Sequence, residues 1–215
     1  LYLQGQVVNI REAEVMDIDE EAFRQGRVNA RLYGYLKVPV ERRVQSVKSG
    51  ARSEQAEVEG MAAEVVANME KDTLYVIGPG TTTRTIMERL ELPNTLLGVD
   101  VVLNRELVDS DVGEKQLFHL LNQHKGKARI VVTAIGGQGH VFGRGNQQIS
   151  PRVIRLVGKN NIIVVASREK LVALQPHPLL VDTGDPDLDQ ELSGYVRVVT
   201  GWEDSIMYRI SNDAD

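Results

Sequence analysis

The sequence predicts an α/β protein in which a mainly parallel sheet with helices, over residues 53–174, is combined with a β-rich layer from the two chain ends. In the middle of the chain, short apolar runs alternate with amphipathic helical patterns, which is typical of a parallel sheet covered by helices. Both ends instead show the period-two pattern of strands. We therefore expect the two ends to pair with each other and the α/β region to form an insertion between them.

The N-terminal part is predicted to hold a strand over residues 27–38, because Val28, Ala30, Leu32 and Leu36 alternate with other residues up to Pro39. Residues 42–52 are basic and poor in apolar side chains, and they are interpreted as a solvated linker. A long amphipathic helix follows, with Ser53 as its N-cap and with these apolar positions at helical spacing: Val58, Met61, Ala62, Val65, Val66 and Met69.

Apolar runs predict strands at residues 74–77, 96–103, 128–133 and 162–166, and a helix is expected at 114–123. Another helix begins at Ser150-Pro151 and ends at Gly158, since these residues favour helix termini. Residues 195–200 and 205–210 flank a turn at 201–204 and are predicted to form a hairpin. The predicted divisions are 1–52, a β-rich segment with a linker; 53–192, the α/β region; and 193–215, the hairpin that returns to the β-rich layer.

The composition is that of a folded protein and excludes several classes. Among 215 residues, 42% are hydrophobic and 26% are charged, and the net charge of −5 argues against a general nucleic-acid binder. The absence of Cys excludes disulfides and cysteine metal sites and fits the cytoplasmic location that we expect. The apolar runs are far shorter than the about 20 residues of a membrane helix, so no membrane partner is expected.

The first candidate site is a glycine- and threonine-rich loop between a predicted strand and a helix. It reads Gly78-Pro79-Gly80-Thr81-Thr82-Thr83, and glycines allow close approach of a ligand while a helix N-terminus attracts anions. Asp100 follows Gly80 at the offset of a ribose-binding acid in dinucleotide folds. Contact with a phosphate, ribose or nucleotide, and a simple tight turn capped by Thr, both remain open.

The second candidate site is residues 136–148, where five glycines fall within ten residues. So many glycines are costly in chain entropy, and the segment follows a strand, where ligands bind in open α/β sheets. Gly136 and Gly137 begin this segment, and the side chains expected to contact phosphate, ribose or amide groups are Arg144, Asn146, Gln147 and Gln148. The alternatives are a structural loop and an oligomer contact, and His140 is interpreted as a polar loop residue rather than a general base.

The third candidate is an acidic turn, residues 182–187, after an apolar run at 179–181. Mg²⁺ binding or ribose contacts are possible there, but an Asx turn leading into a helix that starts with proline is favoured. The four histidines lack the spacing of metal ligands, so we expect no metal site within this chain.

At the two glycine-rich loops the chain resembles a known family. Residues 72–83 resemble the Thr-Pro-Thr-Gly-Ser-Thr-Ala segment of NAD kinases, and residues 135–151 resemble the ATP-NAD kinase-like branch related to the acetoin-catabolism X protein. Residues 14–19 and 182–185 are similar to that branch too, so the resemblance extends from about residue 7 to 210. Its implied fold is that of the NAD kinase C-terminal region.

The resemblance implies phosphoryl transfer from ATP or polyphosphate to the 2′-hydroxyl of NAD, giving NADP, with Mg²⁺ as cofactor. By this comparison Gly80, Thr81, Thr82 and Thr83 would contact the dinucleotide, and Gly78 belongs to the same candidate loop. Thr83 and the Arg that follows it depart from the family's Ala-Tyr pair.

The family's Gly-Gly-Asp-Gly-Thr motif, with the expected catalytic Asp, does not occur in this chain, so no catalytic residue is assigned. The chain is interpreted as the dinucleotide-binding and oligomerisation portion of a longer enzyme, inactive alone, with residues 1–5 as a helix tail. Its expected partners are NAD, ATP, other copies of itself and an N-terminal kinase domain. A sugar-phosphate or nucleotide-sensing module and a structural oligomerisation domain are the alternatives.

Overall fold

The computed structural model describes residues 9–18, 30–40, 51–135 and 137–212. The predicted helix tail at residues 1–5, the acidic residues after Ile18, most of the predicted linker, and Gly136 therefore lie outside the described residues. The chain divides into two compact units, Leu1–Lys48 and Ser49–Asp215.

The first unit contains a two-stranded antiparallel sheet of its own. Strand β1 is Asn9–Ile18 and strand β2 is Ala30–Val40, and they pair from Asn9 with Val40 to Ile18 with Ala30. The register shifts between Val15 and Met16, as at a β-bulge.

The second unit is a nine-stranded sheet with helices. Its helices are α1 (Ala51–Ala67), α2 (Thr81–Arg89), α3 (Glu114–Gln123), α4 (Pro151–Val157), α5 (Arg168–Leu174) and α6 (Pro186–Leu192). Its strands are β3 (Thr73–Ile77), β4 (Asp100–Leu103), β5 (Glu106–Asp109), β6 (Lys127–Thr133), β7 (His140–Phe142), β8 (Ile162–Val165), β9 (Leu179–Val181), β10 (Gly194–Gly201) and β11 (Asp204–Ser211).

The strand order confirms the predicted α/β class. The order is β5-β4-β3-β6-β8-β10-β11-β9-β7, and the run from β3 through β6 and β8 to β10 is parallel. Helices cover both faces of this run because its strands are apolar on both sides. On one face α1 and α2 pack on Tyr75 and Ile77, and on the other α3 and α4 pack with Leu74 and Val76.

The strands of the two chain ends belong to different sheets among the described residues, so the predicted pairing of one end with the other is not observed. Strands β10 and β11 make the predicted hairpin, but β10 lies beside β8, with Val198 opposite Val164, inside the large sheet. None of the described residues before Val40 pairs with this hairpin. The physical reason is burial, since the alternation of the hairpin provides apolar residues that complete the sheet and its core.

The sheet bends so that its edge strand β7 lies close to the end of the central strand β6. Ile135 follows β6 by two residues and forms an antiparallel bridge with His140, the first residue of β7. In the strand order, β7 lies five positions from β6. This bridge requires the far edge to bend back to the carboxyl end of β6, which is where both glycine-rich segments lie.

Several predicted boundaries differ from the structure. Helix α3 has the predicted bounds, whereas α1 begins at Ala51 and therefore contains Ser53 instead of being capped by it. The predicted strand at 96–103 is shortened to β4, and β5, β7 and α5 were not predicted. Among the described residues, no helix is long and apolar enough to cross a membrane.

Candidate functional site

Gly80 sets the shape of the turn between β3 and α2. Its φ of 135° lies in a region that residues with a Cβ rarely adopt. A Cβ atom placed on Gly80 would lie 2.7 Å from Cγ2 of Thr133, the last residue of β6. The glycine therefore allows the turn to lie directly against the carboxyl end of the neighbouring strand.

The backbone amides of this turn fall into two groups. The N–H of Gly78 donates to Val131 O at 2.9 Å and that of Gly80 donates to Leu96 O at 3.1 Å, so these amides are used within the protein. The ladder of α2 starts with Arg84 N–H donating to Gly80 O at 3.0 Å. The amides of Thr81, Thr82 and Thr83 precede this bond and have no acceptor in the helix, where the macrodipole is positive.

The threonine hydroxyls of the turn also divide into one that is bonded within the protein and two that have no partner among the described residues. Thr83 is fully buried and donates to Gly80 O at 3.0 Å, so its hydroxyl helps to fix the turn. The hydroxyls of Thr81 and Thr82 have no hydrogen-bond partner among the described residues. Thr133, which contacts the turn, has a buried hydroxyl without a partner in the described part of the chain, and such a group costs about 1–3 kcal/mol. Unsatisfied polar groups thus collect at the start of α2.

Asp100 lies close to the turn but is used inside the protein. The residue is 2% exposed, and its carboxylate accepts hydrogen bonds from Thr95 N–H at 2.7 Å, from the Thr95 hydroxyl at 2.5 Å and from Asp111 N–H at 3.1 Å. Both oxygens are occupied by these donors. The geometry therefore favours a role in holding loops together over the ribose contact expected from its spacing.

Asn146 organises the second glycine-rich loop. It is completely buried, its Nδ2 donates to Val141 O at 2.8 Å, and its Oδ1 accepts from Gly143 N–H at 3.2 Å. Gly143 has a φ of 92°, and a Cβ atom on it would lie 1.6 Å from Asp182 O. This part of the loop is a packed structural element, which agrees with the structural alternative more than with a ligand contact by Asn146.

Arg144 and Gly137, two other predicted site residues of this loop, are less closely packed than Asn146. Arg144 is exposed, and its Nε lies 3.8 Å from an exposed Asp182 oxygen, a pair that contributes little to stability. A Cβ atom on Gly137 would have no atom of the described, non-neighbouring residues within 4 Å. His140 is buried, and burial lowers its pKa, with Arg144 acting in the same direction and Asp182 against it.

The structure brings the two glycine-rich segments together around the end of β6. Gly80 contacts Thr133, a Cβ atom on Gly145 would lie 3.3 Å from Ile135, and one on Gly78 would lie 3.5 Å from Ile149. Because β3 and β6 are parallel neighbours, their carboxyl ends lie side by side, which is the usual position of ligands in open α/β sheets.

The acidic turn is a helix cap. Asp185 accepts from Leu188 N–H at 3.1 Å ahead of Pro186, and its ion pair with Arg155, together with that backbone bond, holds its pKa at about 2. Asp189, which is buried, accepts from both the N–H and the hydroxyl of Thr183. Within the described ranges, no cluster of three or more His, Asp or Glu side chains could hold a metal ion, so no residue described here is assigned to Mg²⁺.

Sequence reasoning missed Thr133 and Thr95. Thr133 ends strand β6 directly after the apolar residues 130–132, and a polar residue at that position of a parallel strand is a signal that was available. Thr95 has no comparable signal, because its partner Asp100 is found only from the folded structure.

Comparison with known proteins identifies the second unit. The family model described as ATP-NAD kinase C-terminal domain matches residues 70–210, a range that contains both glycine-rich segments and the sheet from β3 to β11 apart from the last residue of β11. Searches of curated proteins and of solved structures found no match. The family match and the mainly parallel sheet agree with the resemblance of the two loops, and the chain belongs to the ATP-NAD kinase family through its C-terminal domain.

Proposed function

We propose that this domain binds the dinucleotide substrate of an NAD kinase-like enzyme, with the pyrophosphate at the N-terminus of α2. The full-length enzyme would transfer a phosphoryl group from ATP or polyphosphate to the 2′-hydroxyl of NAD. The observation that carries the proposal is a set of donors without a partner among the described residues, the amides of Thr81, Thr82 and Thr83 beside the buried hydroxyl of Thr133.

The physical basis is that a phosphate anion supplies the acceptors that these donors lack. Helix N-termini carry a partial positive charge, and charge-assisted hydrogen bonds are about twice as strong as neutral ones. The hydroxyl of Thr82, at the first turn of the helix and without a described partner, is placed to add a further bond. The shape of the turn is fixed in advance by Gly80 and Thr83, so binding needs little reordering.

The described residues supply binding rather than chemistry. The carboxylate of Asp100 is occupied by three donors, and it is therefore not assigned as the base for the ribose hydroxyl. The base, the phosphate donor site and the ligands of Mg²⁺, which neutralises phosphate charge when bound, would come from the remainder of the full-length protein. Self-association and contact with an N-terminal kinase domain belong to the same proposal.

The test is the affinity of the full-length protein for NAD, measured by calorimetry with the Thr82→Val variant. Valine keeps the shape of threonine and removes one hydroxyl, so the affinity should fall by about tenfold to a hundredfold, the range of one hydrogen bond to a charged group. The matched control is Thr85→Val, one turn further along, whose hydroxyl donates only to Thr81 O at 3.3 Å. It should bind NAD like the parent protein.

Titrations with NADP, ATP and a sugar phosphate complete this test. If Thr82→Val melts like the parent and binds NAD equally well, the turn is structural and the proposal is wrong. If the parent binds only the sugar phosphate, the domain is a phosphate-binding module of another substrate class. If it binds no ligand and associates tightly with itself, a structural oligomerisation domain is the better explanation.

A further inference from the structure

The carboxylate of Asp100 is buried at the start of β4 without a cationic partner among the described residues. It is instead surrounded by donors from two loops, the N–H and hydroxyl of Thr95 from one side and the N–H of Asp111 from the other. A buried charge is tolerated when it is fully hydrogen-bonded, and three donors on two oxygens satisfy this one. The group therefore acts as an acceptor that joins the loops.

A short path leads from this carboxylate to the proposed binding turn. Asp100 holds Thr95, and the next residue, Leu96, is buried and offers its carbonyl to Gly80 N–H at 3.1 Å. Gly80 directly precedes Thr81, the first residue of α2. The position of the Leu96 carbonyl thus determines how Gly80 is held and in which direction the first amides of α2 point.

We propose that Asp100 is a positioning residue for the turn at Gly80. Its carboxylate fixes Thr95, the Leu96 carbonyl then fixes Gly80, and the amides of α2 are held ready for an anion. The effect on ligand binding rests on the function proposed above, whereas the effect on the turn does not. A carboxylate suits this role because it has only acceptors, while the amide of asparagine would turn an NH₂ group toward one of the donors.

The protein contains a matched control for the substitution. Asp189 is also buried and accepts from the N–H and the hydroxyl of a threonine, Thr183, at 3.0 and 2.6 Å. It lies in α6, and none of its described hydrogen bonds leads to the Gly80 turn. Asp189→Asn therefore makes the same chemical change with the same kind of partner and should disturb only its own loop.

The experiment measures amide hydrogen exchange of Gly80 by NMR in the ligand-free full-length protein. In Asp100→Asn the Gly80 amide should exchange about threefold to tenfold faster than in the parent, the range expected for a weakened neutral hydrogen bond. In Asp189→Asn it should be unchanged. Thr95→Val, which removes one of the three donors, should shift the Gly80 exchange in the same direction and replaces Asp100→Asn if that variant does not fold.

The affinity for NAD is measured on the same variants. Faster Gly80 exchange together with weaker NAD binding in Asp100→Asn, and neither in Asp189→Asn, supports the proposal. Unchanged Gly80 exchange in both Asp100→Asn and Thr95→Val overturns it, and weaker NAD binding with unchanged exchange would mean a direct ligand contact by Asp100. A parent protein that does not bind NAD overturns the proposed function, while the exchange data still decide whether Asp100 controls the turn.

Discussion

Replacing Asn146 by alanine tests whether this residue holds the second glycine-rich loop or contacts a ligand. The side chain makes one bond to Val141 O, which is fully buried, and accepts one from Gly143 N–H. Alanine removes both hydrogen bonds at once and leaves no side-chain polar atom to pair with Val141 O or Gly143 N–H. The loop should therefore lose stability even when no ligand is present.

The expected loss follows from the two backbone groups left unpaired. A buried group without a partner costs about 1–3 kcal/mol, and the cost is smaller at Gly143, which is half-buried and partly reached by water. Together the unpaired Val141 O and Gly143 N–H should lower the free energy of unfolding by about 2–4 kcal/mol. For a unit of this size, 1 kcal/mol shifts Tm by about 2–4 °C, so Asn146→Ala should melt roughly 5–15 °C below the parent.

The assay is urea unfolding followed by circular dichroism, with thermal melting as a second measurement. The control is Gln147→Ala, at an exposed neighbouring position without a described side-chain bond, which should stay within about 0.5 kcal/mol of the parent. The reasoning is refuted if Asn146→Ala unfolds like the parent while losing affinity for NAD. That result would restore the ligand contact predicted from the sequence.

Two further predictions concern stability. Gly143→Ala should lower the free energy of unfolding in urea by about 3 kcal/mol or more, because its Cβ would lie 1.6 Å from Asp182 O at a φ of 92°. The control is Gly113→Ala, whose Cβ would have no described, non-neighbouring atom within 4 Å and which should change the stability little. Similar losses in the two variants would contradict the packing of the loop. Arg152 and then Ser150 hold the pKa of Glu114 at about 2, below its ordinary value of 4.5. The folded protein then binds fewer protons than the unfolded chain, so the free energy of unfolding should fall as the pH drops from about 5 to 2, and Glu114→Gln should fall less steeply in acid titrations; an identical slope would contradict this assignment.

The features that depend on neighbours along the chain could be predicted from the sequence. Helix α3 has its predicted bounds, α4 begins after Ser150 and ends before Gly158, and the hairpin turns between Gly201 and Asp204. Periodicity, capping residues and turn residues act over a few positions, so they can be read locally. The residues of the glycine-rich loops also carry enough of the family pattern to indicate the family, which the match over residues 70–210 confirms.

The place of the hairpin and the use of the polar loop residues depend instead on contacts between distant parts of the chain. The β10–β11 hairpin could have paired with the N-terminal strands by pattern alone, but burial against β8 places it in the large sheet. Asp100 and Asn146 have the residue types and positions of ligand contacts, yet in the folded chain Asp100 accepts from donors of two loops and Asn146 bonds the backbone of its own loop. Thr133, by contrast, is left without a partner among the described residues. Whether a polar side chain binds its own chain or remains available depends on partners brought close in space, and spacing along the sequence does not contain that information.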